Sequence, residues 1–246
     1  MTQLQNKVAI VTGASRGIGA AVADRLARDG YAVIVNSAGS AAAAEKVAGA
    51  IEARGGRALA VQADVSDPAA VGAMFNKVEA AFGGVDVVVN NAGVMTLAPL
   101  AEVTDEAFDR QFSINVKGTF NVMREAARRL RAGGSVVNFS SSVIGLRMEN
   151  YAVYCATKAA VEAMTAVMSK EMRGRSIRVN AVAPGPVATE LFLHGKSPEL
   201  IDRLAKLNPM ERLGTPEDIA GVVSLLVGPD GSWVNGQVLR ANGGMV

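Results

Sequence analysis

Tyr154 and Lys158 stand four residues apart in a run with helical pattern, Tyr154-Cys155-Ala156-Thr157-Lys158, so a phenol and an ammonium emerge on one helix face. A phenol of ordinary pKa, about 10, is a poor acid or base near neutrality, and a fixed cation beside it stabilises the phenolate and lowers that value. The chemistry on offer is proton transfer to or from an oxygen. The same spacing arises by chance on surface helices, so the pair gains its weight from the segments around it.

Three segments supply that weight. The turn Thr12-Gly13-Ala14-Ser15-Arg16-Gly17-Ile18-Gly19 follows the apolar, β-branched run Lys7-Val8-Ala9-Ile10-Val11 and precedes residues of helical period, Ile18, Val22 and Leu26. Glycines that open a helix directly after a strand make an anion site of the helix amino end. In this reading Gly13 permits the tight turn, Gly17 the approach of a pyrophosphate and Gly19 the packing of helix on strand. The second segment, Asn90-Asn91-Ala92-Gly93, follows the strand Val85 to Val89. The third, Ser140-Ser141-Ser142, ends the strand Ser135 to Phe139. Both lie at carboxyl ends of expected parallel strands, where open α/β sheets bind ligands.

The elements that must position these groups follow from hydrophobic pattern. Strands are expected near 7–12, 31–36, 57–63, 85–90, 135–140, 177–182 and 237–240, with helices between and no linker or charge block. Runs such as Val85-Asp86-Val87-Val88-Val89 suit strands covered on both faces. The expected architecture is a seven-stranded parallel sheet with helices on both sides, one domain over 1–246. Ser66-Asp67-Pro68, Ser197-Pro198-Glu199 and Thr215-Pro216-Glu217-Asp218 each place a capping side chain before a proline and mark helix starts.

Composition limits the chemistry. A net charge of +2, from 25 basic and 23 acidic residues, argues against nucleic acid as a partner. Arg124, Arg128, Arg129 and Arg131 read as a solvated helix face. The single cysteine forms no internal disulfide and suits a reducing compartment, so the cytoplasm is expected. One histidine, His194, builds neither a histidine metal cluster nor a serine–histidine triad, and no catalytic metal is expected. No signal peptide or membrane-spanning stretch is read.

With these motifs in hand, the chain resembles the short-chain dehydrogenase/reductase family over essentially its whole length. The resemblance rests on Thr12 to Gly19, Asp64, Asn90 to Gly93, Asn115, Ser141, Tyr154, Lys158, Pro184-Gly185-Pro186-Val187 with Thr189, and the ending Asn235-Gly236-Gln237-Val238-Leu239 with Asn242-Gly243-Gly244. It implies a Rossmann-type doubly wound fold that binds a nicotinamide dinucleotide. It also implies that Tyr154 donates a proton to a carbonyl oxygen as hydride arrives, while Lys158 lowers its pKa and binds the nicotinamide ribose. Asn115, by the same resemblance, supports a water in the proton relay. Ser141 lies 13 positions before Tyr154, the spacing common in the family, and is taken as the serine that holds the substrate oxygen. Ser142 precedes Val143-Ile144-Gly145, the family's usual continuation, and is the alternative; adjacent strand residues face opposite ways, so only one has the role.

Cofactor choice turns on the end of the second strand, where an acidic residue would bond the adenosine ribose of NAD and repel a phosphate. Asn36 is not acidic, Ser37 and Ser40 can donate hydrogen bonds, and Arg16 carries charge towards the region, so NADP(H) is expected. Ser15 and Ile18 complete the phosphate turn. As in the family, Asp64 and Val65 would contact adenine, while Asn91, Ala92, Gly93, Pro184, Gly185, Val187 and Thr189 would line ribose and nicotinamide.

The resemblance is greatest to 3-oxoacyl-acyl-carrier-protein reductases of fatty-acid synthesis, which implies reduction of a 3-oxoacyl thioester. Other ketones, secondary alcohols, sugars or steroids fit the same motifs, and a cofactor-binding subunit without turnover is the alternative of another class. Specificity is expected after Ser142 and in Ala188 to Arg212, read as a lid. Arg131 and Arg175 are candidate contacts for an acidic acyl carrier protein. A homotetramer, joined through helices near 105–131 and 152–173 and the last strand, is also implied.

Overall fold

A computed structural model of the protein describes residues 7–39 and 41–246. Seven strands, β1 (Val8–Val11), β2 (Ala32–Ser37), β3 (Arg57–Gln62), β4 (Val85–Asn90), β5 (Leu130–Phe139), β6 (Arg178–Pro184) and β7 (Val238–Ala241), form one sheet. Every pairing is parallel, in the order β3-β2-β1-β4-β5-β6-β7. The order reverses between β1 and β4, which opens a crevice at their carboxyl ends.

The helices are α1 (Gly17–Arg28), α2 (Ala41–Glu52), α3 (Pro68–Phe82), α4 (Asp105–Gln111), α5 (Thr119–Arg129), α6 (Val143–Leu146), α7 (Ala152–Glu171), α8 (Glu190–Leu193), α9 (Pro198–Ala205) and α10 (Pro216–Val227). Alternate strand residues feed two cores. Ala9, Val11, Val33 and Val35 pack with α1, α2 and α10, whereas Val8, Ile10, Ala32 and Ile34 pack with α3, α5 and α7. This is why β1 and the Ala32 to Val35 part of β2 read as unbroken apolar runs, and β4 as one broken by Asp86 alone before Asn90: both faces are covered, and each fully buried Val or Ile contributes about 1.5–3 kcal/mol of transfer free energy. All three anticipated helix starts are capped. Asp67 accepts from Ala69 N–H, Ser197 from Leu200 N–H, and Thr215 with Asp218 forms a reciprocal capping box.

One strand departs from expectation. β5 begins at Leu130 rather than near 135, with its register against β4 shifted between Val85 and Val87. Asp86 explains the irregularity: its carboxylate accepts from Val8 N–H at 2.8 Å and pairs with Arg131 at 2.9 Å. A charge inside an apolar run is tolerated because it is bonded on both sides.

Candidate active site

The glycine turn sits where β1 meets α1. Gly13 has φ of +63°, and a Cβ there would lie 2.9 Å from Ala92 Cα, so the turn is pressed against the loop after β4. Thr12 Oγ1 accepts from Asn91 N–H at 3.1 Å and Ala92 N–H at 3.0 Å, and Asn91 returns amide bonds to the carbonyls of Thr12 and Gly13. Two of the sequence motifs are thereby locked together. Arg16, at the N-cap of α1, makes no side-chain cap, and the first turn carries no acidic residue. Ile18 of its first turn lines the crevice, so the uncapped amino end of the helix lies beside it, the chemistry an anionic pyrophosphate requires. Ser15 is half-exposed on the turn, and Ile18 lines the crevice.

Tyr154 and Lys158 lie on one face of α7, as their spacing predicts. Ser141, just past the end of β5, lines the crevice beside Tyr154, near enough to pull the pKa of its phenol down. Ser142 faces away: it is 2% exposed, donates to Ala183 O at 2.9 Å and accepts from Asn242 Nδ2 at 2.9 Å. Of the two serines, Ser141 alone shares an oxygen environment with Tyr154. Lys158 is buried, donates to Phe139 O at 2.8 Å, and holds its Nζ 5.6 Å from the Tyr154 ring centre.

The electrostatics correct the simple picture of a cation lowering the tyrosine pKa. Burial pushes Tyr154 up to about 12, against a downward pull from Ser141, and burial takes Lys158 down to about 8. The phenol is therefore protonated at neutral pH, the state a proton donor needs.

Asn115 lies in a π-helical segment, Phe112–Gly118, rather than in a regular α-helix. Such segments recur at functional sites. Its side chain accepts from Val94 N–H at 2.8 Å and donates to Val94 O at 2.9 Å and Thr157 Oγ1 at 3.2 Å. The amide thus clamps the loop after β4 to α7 beside Lys158. Gly93 completes this corner: a Cβ would come within 3.3 Å of Asn115 Oδ1 and 3.6 Å of Lys158 Nζ.

The crevice continues from Ile18, Asn91 and Gly93 past Ser141, Tyr154 and Lys158 to Pro184, Gly185, Val187 and Thr189. Its outer part is apolar, with Leu191, Phe192, Leu204 and Leu207 from the segment around α8 and α9, and among the described residues Lys158 is the one charged side chain in the lining. Met95, Tyr151 and Met245 also line it and escaped the sequence reading. The signal for Met245 is its place in the tail after Asn242-Gly243-Gly244.

The other expected residues have the following partners within the protein. Asn36 is buried, with its amide donating to Val61 O at 3.2 Å and Ala63 O at 3.0 Å, so its side chain serves β3 and not a phosphate. Ser37, the next strand residue, faces the opposite way. Ser40 lies outside the described residues. Arg16 is exposed and pairs with Glu190 of α8 at 3.1 Å. The Asp64 carboxylate accepts from Ser66 N–H and Oγ at 2.9 and 2.8 Å, and Val65 is buried against Gly118. Arg131 is taken by Asp86, and Arg175 donates to the carbonyls of Ala127 and Leu130. Both arginines sit where β5 and β6 begin, at the end of the sheet away from the crevice, so neither is a docking cation for a carrier protein at its mouth. Arg129, also read as surface, is held by Glu79, Glu125 and Asn76. His194 follows α8 as a loop residue, as expected.

A doubly wound sheet carrying an uncapped glycine turn and a Ser-Tyr-Lys cluster at its switch point defines a dinucleotide-binding α/β protein with an acid–base centre. Comparison with known proteins gives the family. Residues 13–246 match a family model described as enoyl-(acyl carrier protein) reductase. A short-chain type dehydrogenase/reductase of Picea abies is 46% identical over 253 residues, covering 99% of this chain and 93% of its own. An NADPH-dependent aldehyde reductase-like protein of Arabidopsis thaliana is 42% identical, covering 99% and 95%. A crystal structure of a short-chain dehydrogenase from Burkholderia cenocepacia in complex with NADP superposes with a TM-score of 0.94 at 37% identity, covering 99% of each chain. The chain belongs to the short-chain dehydrogenase/reductase family.

Proposed function

We propose that residues 1–246 form a single NADP(H)-binding domain that reduces the carbonyl of a substrate with an apolar group beside it. The observation that carries this reading is the convergence of Ser141, Tyr154 and, one helical turn on, Lys158 at the wall of an apolar crevice that begins at the glycine turn. NADPH, when bound, supplies the hydride. Tyr154 gives its proton to the carbonyl oxygen, and Ser141 holds that oxygen with a hydrogen bond that strengthens as negative charge develops. Lys158 stabilises the phenolate left behind. A binding-only role would leave this arrangement without use.

The residues present fit the cofactor. The amides that open α1 suit its phosphates, Asn91 and Gly93 border the path to Lys158, and Arg16 offers a cation that a 2′-phosphate would share with Glu190. The NADP-bound and NADPH-dependent relatives support the same choice. Ser37, rather than Asn36, is the position that sets it. Ser37→Asp is expected to move preference towards NADH. Asn36→Asp should instead unfold the protein more easily, because it removes two donors and buries a charge against two carbonyl oxygens, at a cost of about 3 kcal/mol. Titration with both nucleotides and thermal melts separate the two; an Asn36→Asp protein of unchanged Tm and switched preference would contradict the assignment.

A 3-oxoacyl thioester is the proposed substrate, since its acyl chain suits the apolar lining and the matched family description, enoyl-(acyl carrier protein) reductase, names a reductase of carrier-bound acyl groups. Simple aldehydes are the second reading, favoured by the Arabidopsis relative. Acetoacetyl thioesters, aldehydes, simple ketones and sugars, each followed by NADPH oxidation, distinguish them; failure of every carbonyl with cofactor binding intact would refute the reductase reading. We place the protein in the cytoplasm. Among the described residues no helix is long and apolar enough to cross a membrane. A homotetramer is proposed on the exposed apolar side chains of α4, α5 and α7 (Phe108, Phe120, Val167), and light scattering tests it.

The pKa directions give a pH profile. Tyr154 stays protonated up to about 12, whereas Lys158 is charged only below about 8. Reduction needs the phenol protonated and the ammonium charged, so kcat/KM should fall as pH rises through about 8. A rate that climbs across the same range would contradict these roles.

A further inference from the structure

The segment that follows β7 is built into the crevice rather than trailing from the fold. Asn242 is buried and occupies a junction of bonds. Its Nδ2 donates to Ser142 Oγ at 2.9 Å, while its Oδ1 accepts from Gly244 N–H at 3.0 Å and Met245 N–H at 3.2 Å. Gly185 lets this junction approach, since a Cβ there would lie 2.9 Å from both Cα and Cβ of Asn242. Gly243, at φ +68°, turns the chain back, and a Cβ on it would strike Asn208 Oδ1 at 2.6 Å. The turn is thus fixed against β6 on one side and the end of the α9 segment on the other. Val246 closes on Gly145 of α6. Between these anchors Met245 lines the crevice, together with Leu146, Met148 and Tyr151.

We propose that Met245 is a specificity-determining residue, a wall that limits the size of the apolar group beside the carbonyl, and that the buried Ser142–Asn242 bond positions it. This rests on the reductase reading above. Methionine suits the place because its unbranched thioether fills irregular space and repacks around different ligands. The second serine of the hydroxyl cluster thereby acquires a role distinct from the first: Ser141 meets the reacting oxygen, and Ser142 holds the wall.

The test compares one small and one bulky neutral ketone by kcat/KM, with NADPH saturating. Met245→Ala should shift the ratio towards the bulky ketone by on the order of tenfold or more, and Met245→Trp should shift it the other way. Asn242→Ala should move the ratio in the direction of Met245→Ala, with KM for the small ketone rising more than kcat falls, since it loosens the wall without touching Tyr154. A ratio unchanged in folded, active Met245 variants overturns the proposal alone. If wild-type protein reduces neither ketone nor any aldehyde while binding NADPH, the reductase reading falls and the proposal with it.

Discussion

Tyr154→Phe is expected to lower carbonyl reduction by on the order of 1000-fold while the protein folds and binds NADPH as before. The substitution deletes one oxygen and little else. The ring keeps its edge-on contact with Tyr151, at 6.5 Å between centres, and Ser141 is the neighbour that meets the lost hydroxyl. Lys158→Met should behave differently. Its Nζ is buried on Phe139 O beside Gly93, so the change removes both the support of the phenolate and a cation at the nicotinamide end of the crevice. Nucleotide titration of the two variants should therefore show normal affinity in the first and weakened affinity in the second. Equal affinities would mean that Lys158 serves the tyrosine alone.

Ser141→Ala is expected to cost on the order of 100-fold in kcat, because a preorganised donor to the developing oxyanion is lost. Ser142→Ala should instead register in stability. Its hydroxyl is buried between Ala183 O and Asn242 Nδ2, and leaving those groups unsatisfied costs on the order of 1–3 kcal/mol. Steady-state kinetics and thermal melts on both variants give a crossed pattern, one kinetic and one thermodynamic. The reverse pattern would move the oxygen-holding role to Ser142.

The sheet was legible in the sequence because parallel strands covered on both faces are apolar at nearly every position, as β1, Ala32 to Val35 of β2 and, Asp86 apart, Val85 to Val89 of β4 are. β5 was harder to bound: its early part carries Arg131 and two glycines, and it is held to β4 through Val85 and Asp86, partners distant in sequence. The glycine turn, Ser141, Tyr154 and Lys158 were found where they were expected, since each belongs to a local pattern of turn or helix. Asn36 was misread for a physical reason. Its residue type at a strand end suits a ligand, but the direction of its side chain is set by pairing with β3, which local pattern does not reveal. Arg131 and Arg175 looked like surface cations for the same reason, as their carbonyl and carboxylate partners lie on other elements. Met245 went unread because a wall residue has no spacing rule; only the junction at Asn242 puts it there.

The most direct measurement mixes wild-type protein and Tyr154→Phe, each preloaded with NADPH, with one neutral aldehyde or acetoacetyl thioester in a single turnover, following nucleotide fluorescence and the alcohol formed. Wild type should consume bound NADPH in step with alcohol, while the variant holds its NADPH and forms almost none. A folded, NADPH-loaded Tyr154→Phe protein that forms alcohol at near wild-type rate would contradict Tyr154 as the proton donor and the mechanism built on it.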